Sequence, residues 1–321
     1  MDNLTHSLVG VLLSRAGVKR LAPRATVTLV LGANAPDIDL VALAWGDLAY
    51  LRHHRGLSHA MVGVPLLAAL VATAVWLARG RRDWRRTYLA ALAGVASHPL
   101  LDFTNTYGVR PWLPFSETWY SWDIVHIVDL WVWLALGLCV AGPSLGRLIS
   151  GEIGAPAESG RAAAAAGLAL LGAWWGARDV LHGRVTAMLE AHLYGGEPAS
   201  APERVAAFPS LANPLLWRGW VETERFHQVG PVDALEGFDP ARGQVFYKPE
   251  DAAAVRAALG SRTGAEFAAF ARYRMDMVDR QEDGYRVVFT DFRFQQARPR
   301  GFTCEILLDR ELRVVGESFR Y

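Results

Sequence analysis

HHRGLSHAMVGVPLLAALVATAVWLA, residues 53 to 78, carries the two features that decide the reading of this chain. Ala60 to Ala78 is an uncharged run of 19 residues, about the length needed to cross a hydrocarbon core of roughly 30 Å. The run is entered through His53, His54, Arg55 and His59, and ionisable groups at membrane depth are costly and usually functional. Working outward, further apolar runs cover Ala25 to Leu43, Thr87 to Leu101, Leu130 to Leu145 and Ala162 to Ala177. Short, polar-interrupted spans are tolerated where they line a cavity inside a bundle. The fold expected from this pattern is mainly α, a polytopic transmembrane helical bundle of about five spans. With 52% hydrophobic residues and a positive mean hydropathy, the chain is too apolar for an ordinary soluble enzyme.

Composition narrows the function classes. The net charge of +1 gives no reason to expect nucleic acid as a partner. Cys139 and Cys304 stand alone, which argues against both a disulfide framework and a thiolate metal site. Asp2 precedes the first apolar segment and its basic residues follow it, the reverse of a signal peptide, so residues 4 to 16 are read as a retained short helix carrying His6.

Charge in the loops orients the thread. Arg79, Arg81, Arg82, Arg85 and Arg86 crowd one short connection, Arg15, Lys19, Arg20 and Arg24 another, and Arg147 and Arg161 a third. Positive loops mark the cytoplasmic side. Trp45 to Ser58, Phe103 to Asp123 and everything after about Ala177 are then expected on the non-cytoplasmic side of the cell inner membrane. Trp112, Phe115, Trp119, Tyr120 and Trp122 fall in one such loop, where an interfacial aromatic belt sits. The same thread gathers His6, Asp37, Asp39, His54, His59, His98, Asp102, His126 and Asp129 at one membrane face.

Those residue types are the ligands of a zinc-like ion, imidazole nitrogen and carboxylate oxygen. His98 and Asp102 are four apart and share a helix face, and His126 and Asp129, three apart, do the same. Asp37 and Asp39 fit a helix cap as well as a ligand. A guanidinium at Arg55 suits bidentate contact with a phosphate oxygen pair and equally a lipid headgroup.

In order along the chain, Thr5-His6-Ser7, Asn34-Ala35-Pro36-Asp37-Ile38-Asp39, His54-Arg55-Gly56-Leu57-Ser58-His59 and Ser97-His98-Pro99-Leu100-Leu101-Asp102 resemble the successive motifs of the bacterial membrane-bound metal-dependent hydrolases of the YdjM type. Asn105 to Gly108, Pro114 to Ser116 and Ile127-Val128-Asp129 match as well, and the resemblance covers roughly residues 1 to 180. It implies distant similarity to zinc-dependent phospholipase C and the S1/P1 nucleases. It also implies His6, one or both of Asp37 and Asp39, His59, His98 and Asp102 as metal ligands.

Three regions are expected: a membrane-embedded hydrolase-like domain over 1–181, a linker over 182–212 punctuated by Gly195, Gly196, Pro198, Pro202 and Pro209, and a soluble α+β domain over 213–321. In the last, strands are read at Leu216 to Val229, Arg272 to Asp279, Tyr285 to Phe294, Phe302 to Leu308 and Leu312 to Phe319, with helices at Pro249 to Leu259 and Ala265 to Ala271. The function read from all this is metal-assisted hydrolysis of an ester or phosphodiester in a membrane lipid or lipid-like substrate, using one to three zinc-like ions. Asp37 or Asp39 serves as general base, and Arg55 binds the anionic group. The competing reading is non-enzymatic, a structural metal site or an ion or proton relay.

Overall fold

The structure, a computed structural model, describes residues 1–320 apart from 21, 23, 79–82, 154–159, 196–199 and 295–301, and the side chains of 147–153 are also outside the described set. Arg79, Arg81, Arg82, Gly196 and Pro198, and the side chain of Arg147, therefore lie outside the described residues. The chain divides into two compact units. One comprises Met1–Asp39, Arg55–His182 and Pro209–Pro214; the other comprises Leu40–His54, Gly183–Phe208 and Leu215–Tyr321.

The helices, in chain order, are α1 (Asn3–Ala16), α2 (Ala25–Asn34), α3 (Asp47–His53), α4 (Gly63–Ala78), α5 (Trp84–Phe103), α6 (Leu130–Ile153) and α7 (Arg161–Glu190). A 3-10 stretch, Ala35–Trp45, continues α2. Asp2 starts α1, its carboxylate accepting the backbone N–H groups of Leu4 and Thr5 at 3.0 and 3.1 Å. In the first unit α1, α5, α6 and α7 share a core of Val9, Leu12, Leu101, Val132, Leu136 and Leu171, with Ile124 and Val125 of the preceding loop. Glycine sets the α2–α5 separation. A Cβ on Gly94 would stand 2.7 Å from the Leu29 carbonyl oxygen, and one on Gly32 would stand 2.9 Å from that of Ala91. The two backbones therefore touch, and α5 side chains one turn further on reach the end of α2.

The expected stack of about five spans is not what these helices form. Among the described residues only Ala25–Trp45 is long and apolar enough to cross a membrane. The run from Ala60 becomes helical only at Gly63, because residues 54–62 are folded into turns, and α4 keeps 16 residues. The Thr87 to Leu101 run lies inside α5, whose buried face carries Thr87, His98 and Asp102. The Leu130 to Leu145 run begins α6 and is apolar for too short a length. The Ala162 to Ala177 run extends through Arg178, Asp179 and Arg184, and alanine is too weakly apolar to offset those charges.

The C-terminal region is a β framework of two antiparallel sheets, not the expected α+β mixture. The first sheet contains β1 (Arg204–Pro209), β2 (Leu216–Glu222), β3 (Phe226–Asp233), β4 (Gly237–Phe238) and β5 (Gln244–Tyr247), ordered β1-β2-β3-β4 with β5 also paired to β3. Two short helices, α8 (Ala252–Leu259) and α9 (Arg262–Phe270), connect it to β6 (Arg274–Gln281), β7 (Gly284–Asp291), β8 (Thr303–Asp309) and β9 (Val314–Arg320), a simple meander. Leu216 to Val229, expected as one strand, is a hairpin: Thr223 accepts the Phe226 N–H through its hydroxyl at 3.2 Å and turns the chain. The expected linker contains the end of α7 and all of β1. Ala206, Phe208, Trp220, Met275 and Phe292 form a core shared by the two sheets.

Candidate metal centre

Each of the converging side chains is placed by a local device. Pro36 has no N–H to offer the Ala33 carbonyl at the end of α2. That carbonyl instead accepts His98 Nδ1–H at 2.6 Å, across the close α2–α5 contact. Asp39 organises the turn that carries His59. Its Oδ2 accepts the Arg55 backbone N–H at 2.8 Å and the Ser58 hydroxyl at 2.8 Å, and it lies 3.2 Å from His59 Nδ1. Arg55 itself has a left-handed backbone, φ 52. Asp102 follows His98 by one turn on the buried face of α5.

These devices bring acceptors together. His59 Nε2 and His98 Nε2 are 3.1 Å apart. Asp102 Oδ2 lies 3.4 Å from both. Asp37 Oδ1 lies 3.4 Å from His98 Nε2 and 3.8 Å from His59 Nε2. The other carboxylate oxygen of Asp102 faces His6 Nε2 at 3.4 Å and the Met1 amino group. His6 stacks on His98 with centroids 3.7 Å apart, and its buried Nδ1 has no hydrogen-bond partner. Asp37–His59–His98 and His6–His98–Asp102 each hold three ligand-type atoms within 4.8 Å of one another.

Protonation follows from the partners. The Ala33 carbonyl can only accept, so His98 carries its proton on Nδ1. Ser58 spends its hydroxyl proton on Asp39, so His59 Nδ1 is the donor toward Asp39 and Ser58. Burial pushes the His59 imidazole down to about 3, outweighing its hydrogen bond to Asp39, and burial lowers His98 as well. Both rings are neutral near pH 7, and their Nε2 atoms face each other and two carboxylate oxygens. Such a donor set suits a cation, beside the charge that Arg55 and the Met1 amino group already bring to Asp102. Asp102 adds to the argument, since it sits in the last turn of α5, where the helix dipole disfavours a carboxylate.

The other expected residues have partners of their own. Arg55 is buried and engaged: its Nε lies 3.1 Å from Asp102 Oδ2, its Nη1 donates to Asn105 Oδ1 at 3.1 Å and to the Gly108 carbonyl at 3.0 Å, and its guanidinium lies over the Tyr107 ring. The Asp37-x-Asp39 pair is in 3-10 geometry. Two residues at three per turn diverge, so Asp37 faces the imidazoles while Asp39 faces the 55–59 turn. His54 belongs to the second unit, where it closes α3 and stacks on Tyr50. Asp129 caps α6, accepting the Trp131 and Val132 N–H groups, both at 3.0 Å, and the Trp174 indole at 3.3 Å. His126 bonds locally to Val128. Neither His126 nor Asp129 is in any such cluster among the described residues. Asn105, between Arg55 and Asp102, was visible in the sequence only as a motif residue; its Oδ1 also accepts the Tyr107 N–H at 2.9 Å and fixes the loop.

The helical unit and its buried histidine–carboxylate cluster define a class: a helical protein with a candidate metal centre. The chain belongs to the family of YdjM inner membrane proteins, whose pattern matches residues 1–184. It is also 27% identical over 160 residues to the uncharacterized protein YfhP of Bacillus subtilis (strain 168), a match covering 46% of this chain and 48% of that protein. The chain thus spans about half the length of this curated relative. No solved structure matches it.

Proposed function

We propose that this protein is a metal-dependent hydrolase of the inner membrane, holding a zinc-type ion between Asp37, His59, His98 and Asp102, with His6, which faces the second oxygen of Asp102, as a donor toward a further ion. The observation that carries this reading is the meeting of two imidazole Nε2 atoms 3.1 Å apart, each with two carboxylate oxygens within 3.8 Å. The donor set suits the chemistry. Structural zinc sites are rich in cysteine, whereas hydrolytic ones combine histidine and carboxylate; Cys139 packs in the helical core and Cys304 lies in β8. A bound ion supplies Lewis acidity, lowering the pKa of water and stabilising charge on an attacked ester or phosphodiester. Asp39 orients His59, Arg55 holds Asp102 in register with Asn105, and Asp37 is the ligand on the more open side, nearest an incoming substrate. The reading also draws on the resemblance of the ordered motifs to zinc-dependent phospholipase C and the S1/P1 nucleases. A second reading, a structural metal site, is favoured by the complete burial of His6, His98 and Asp102.

Elemental analysis of detergent-purified protein, prepared without chelator, tests the core of this. At least one zinc per chain is expected in the wild type and a large loss in His98→Ala. Metal-free wild type, or unchanged content in the variant, refutes it. Metal-replete protein inactive on a panel of phosphodiesters and esters supports the structural site instead.

A further inference from the structure

The side chains between the cluster residues point the other way. Ile38, flanked by Asp37 and Asp39, is 66% exposed, and Met61, two residues after His59, is 62% exposed. Leu57, between Arg55 and His59, is exposed too. A second loop joins them, since the Met61 N–H donates to the Pro111 carbonyl at 2.9 Å. That loop is itself a rigid set of turns, with Phe115 N–H and Ser116 N–H both donating to the Trp112 carbonyl, at 2.8 and 3.1 Å. It presents Trp112 and Phe115 outward, Phe115 at 85% exposure. Of its aromatic neighbours, Trp119 lies against Arg110 and Tyr107, and Trp122 against Phe103 while bonding Asp179.

We propose that Ile38, Leu57, Met61, Trp112 and Phe115 form an apolar collar that inserts into the lipid bilayer, so that the centre draws in the polar head of a membrane amphiphile from the lipid phase. The substrate part of this rests on the hydrolase reading; the insertion does not. Three observations select lipid as the occupant. The collar is continuous with the membrane-crossing candidate Ala25–Trp45, which contains Ile38 and exposes Val27 and Leu31 on α2. Tryptophan and phenylalanine on an ordered loop are the residues that settle at the headgroup boundary. The loop exposes no cation, since in residues 105–120 the charged side chains are Arg110, which is buried, and Glu117. Attachment is therefore apolar and insensitive to anionic lipid and salt. Asp37, the least buried of the four converging residues, neighbours Ile38, which places the open edge of the centre beside the collar.

Nitroxide labels at Phe115→Cys, Met61→Cys and, as a control, Glu117→Cys, in full-length protein carrying Cys139→Ser and Cys304→Ala, read the insertion directly in phosphatidylcholine vesicles. Labels at 115 and 61 are expected to collide more with oxygen than with a water-soluble nickel complex, unchanged when anionic lipid is added, with 117 showing the reverse. Water-like accessibility at 115 and 61 overturns the collar, and so does dipolar coupling between labels at 115, which marks a second copy as the occupant. The substrate arm compares Trp112→Ser/Phe115→Ser with wild type at equal zinc content. Apparent KM should rise at least about tenfold for a vesicle-borne phosphodiester, given the transfer value of two aromatic side chains, and stay level for a short soluble one. Equal losses on both substrates overturn entry from the lipid. Inserted labels with no turnover in wild type leave the collar standing and remove the hydrolase reading.

Discussion

Replacing Asp39 with asparagine separates orientation of the centre from ligation. The Asp39 carboxylate serves three donors at once: the Arg55 backbone N–H, the Ser58 hydroxyl and His59 Nδ1–H. All three act on one oxygen, Oδ2, so the asparagine amide oxygen can keep its place but without the charge that holds the His59 proton on Nδ1. His59 is then freer to carry its proton on Nε2, the atom that points at His98 Nε2 from 3.1 Å and at Asp102 Oδ2 from 3.4 Å. That blocks one lone pair without removing a single group from the cluster. Loss of a carboxylate behind a metal-binding imidazole typically weakens metal affinity 10- to 100-fold, or about 1.4 to 2.7 kcal/mol. Titration of detergent-purified, metal-stripped protein against a chromophoric zinc chelator measures this. Asp39→Asn should fall in that range, Ser58→Ala, which removes one donor only, should lose about threefold or less, and His98→Ala should bind too weakly to compete. An Asp39→Asn protein that binds as tightly as wild type, or as poorly as His98→Ala, would refute the assignment of Asp39 to orientation.

Other expectations follow from the same geometry. Gly94→Ala should lower stability by about 1 to 3 kcal/mol in thermal melts, because its Cβ meets the backbone of α2; a neutral effect would deny the close α2–α5 packing. Metal-stripped protein should lose stability as pH falls from 6.5 toward 3, since His59 protonates freely when unfolded but only at about 3 when folded, so its contribution is complete above 6.5 and is lost across that window. Urea midpoints at pH 7.5 and 5.0 should show the drop, reduced in His59→Gln. Asp291→Ala should destabilise the C-terminal region by about 3 to 5 kcal/mol, because Arg293 Nη2, 2.7 Å from the Asp291 carboxylate and fully buried, loses its countercharge; an unchanged denaturant midpoint would contradict this.

Chemistry was more legible in the sequence than architecture. Histidine and aspartate inside apolar segments identify themselves, because burying such groups without purpose is too costly to be common. His6, Asp37, His59, His98 and Asp102 were legible in this way, and the structure brings them together. His126 and Asp129 carry the same signal but spend it locally, on a turn and a helix cap. The difference lies in what the neighbouring elements offer, which spacing does not record. Apolar runs were read as spans because length is a local property. Whether a run is helical throughout depends on contacts, and the run from Ala60 loses its first residues to turns held by distant partners, the Met61 bond to Pro111 among them. Which of Asp37 and Asp39 faces the imidazoles was likewise invisible. The sequence alone determined which groups can bind a cation. Tertiary structure decided which of them face one another, because an imidazole's free lone pair is set by the partner on its other nitrogen. For His98 that partner is a carbonyl 65 residues away, on another helix.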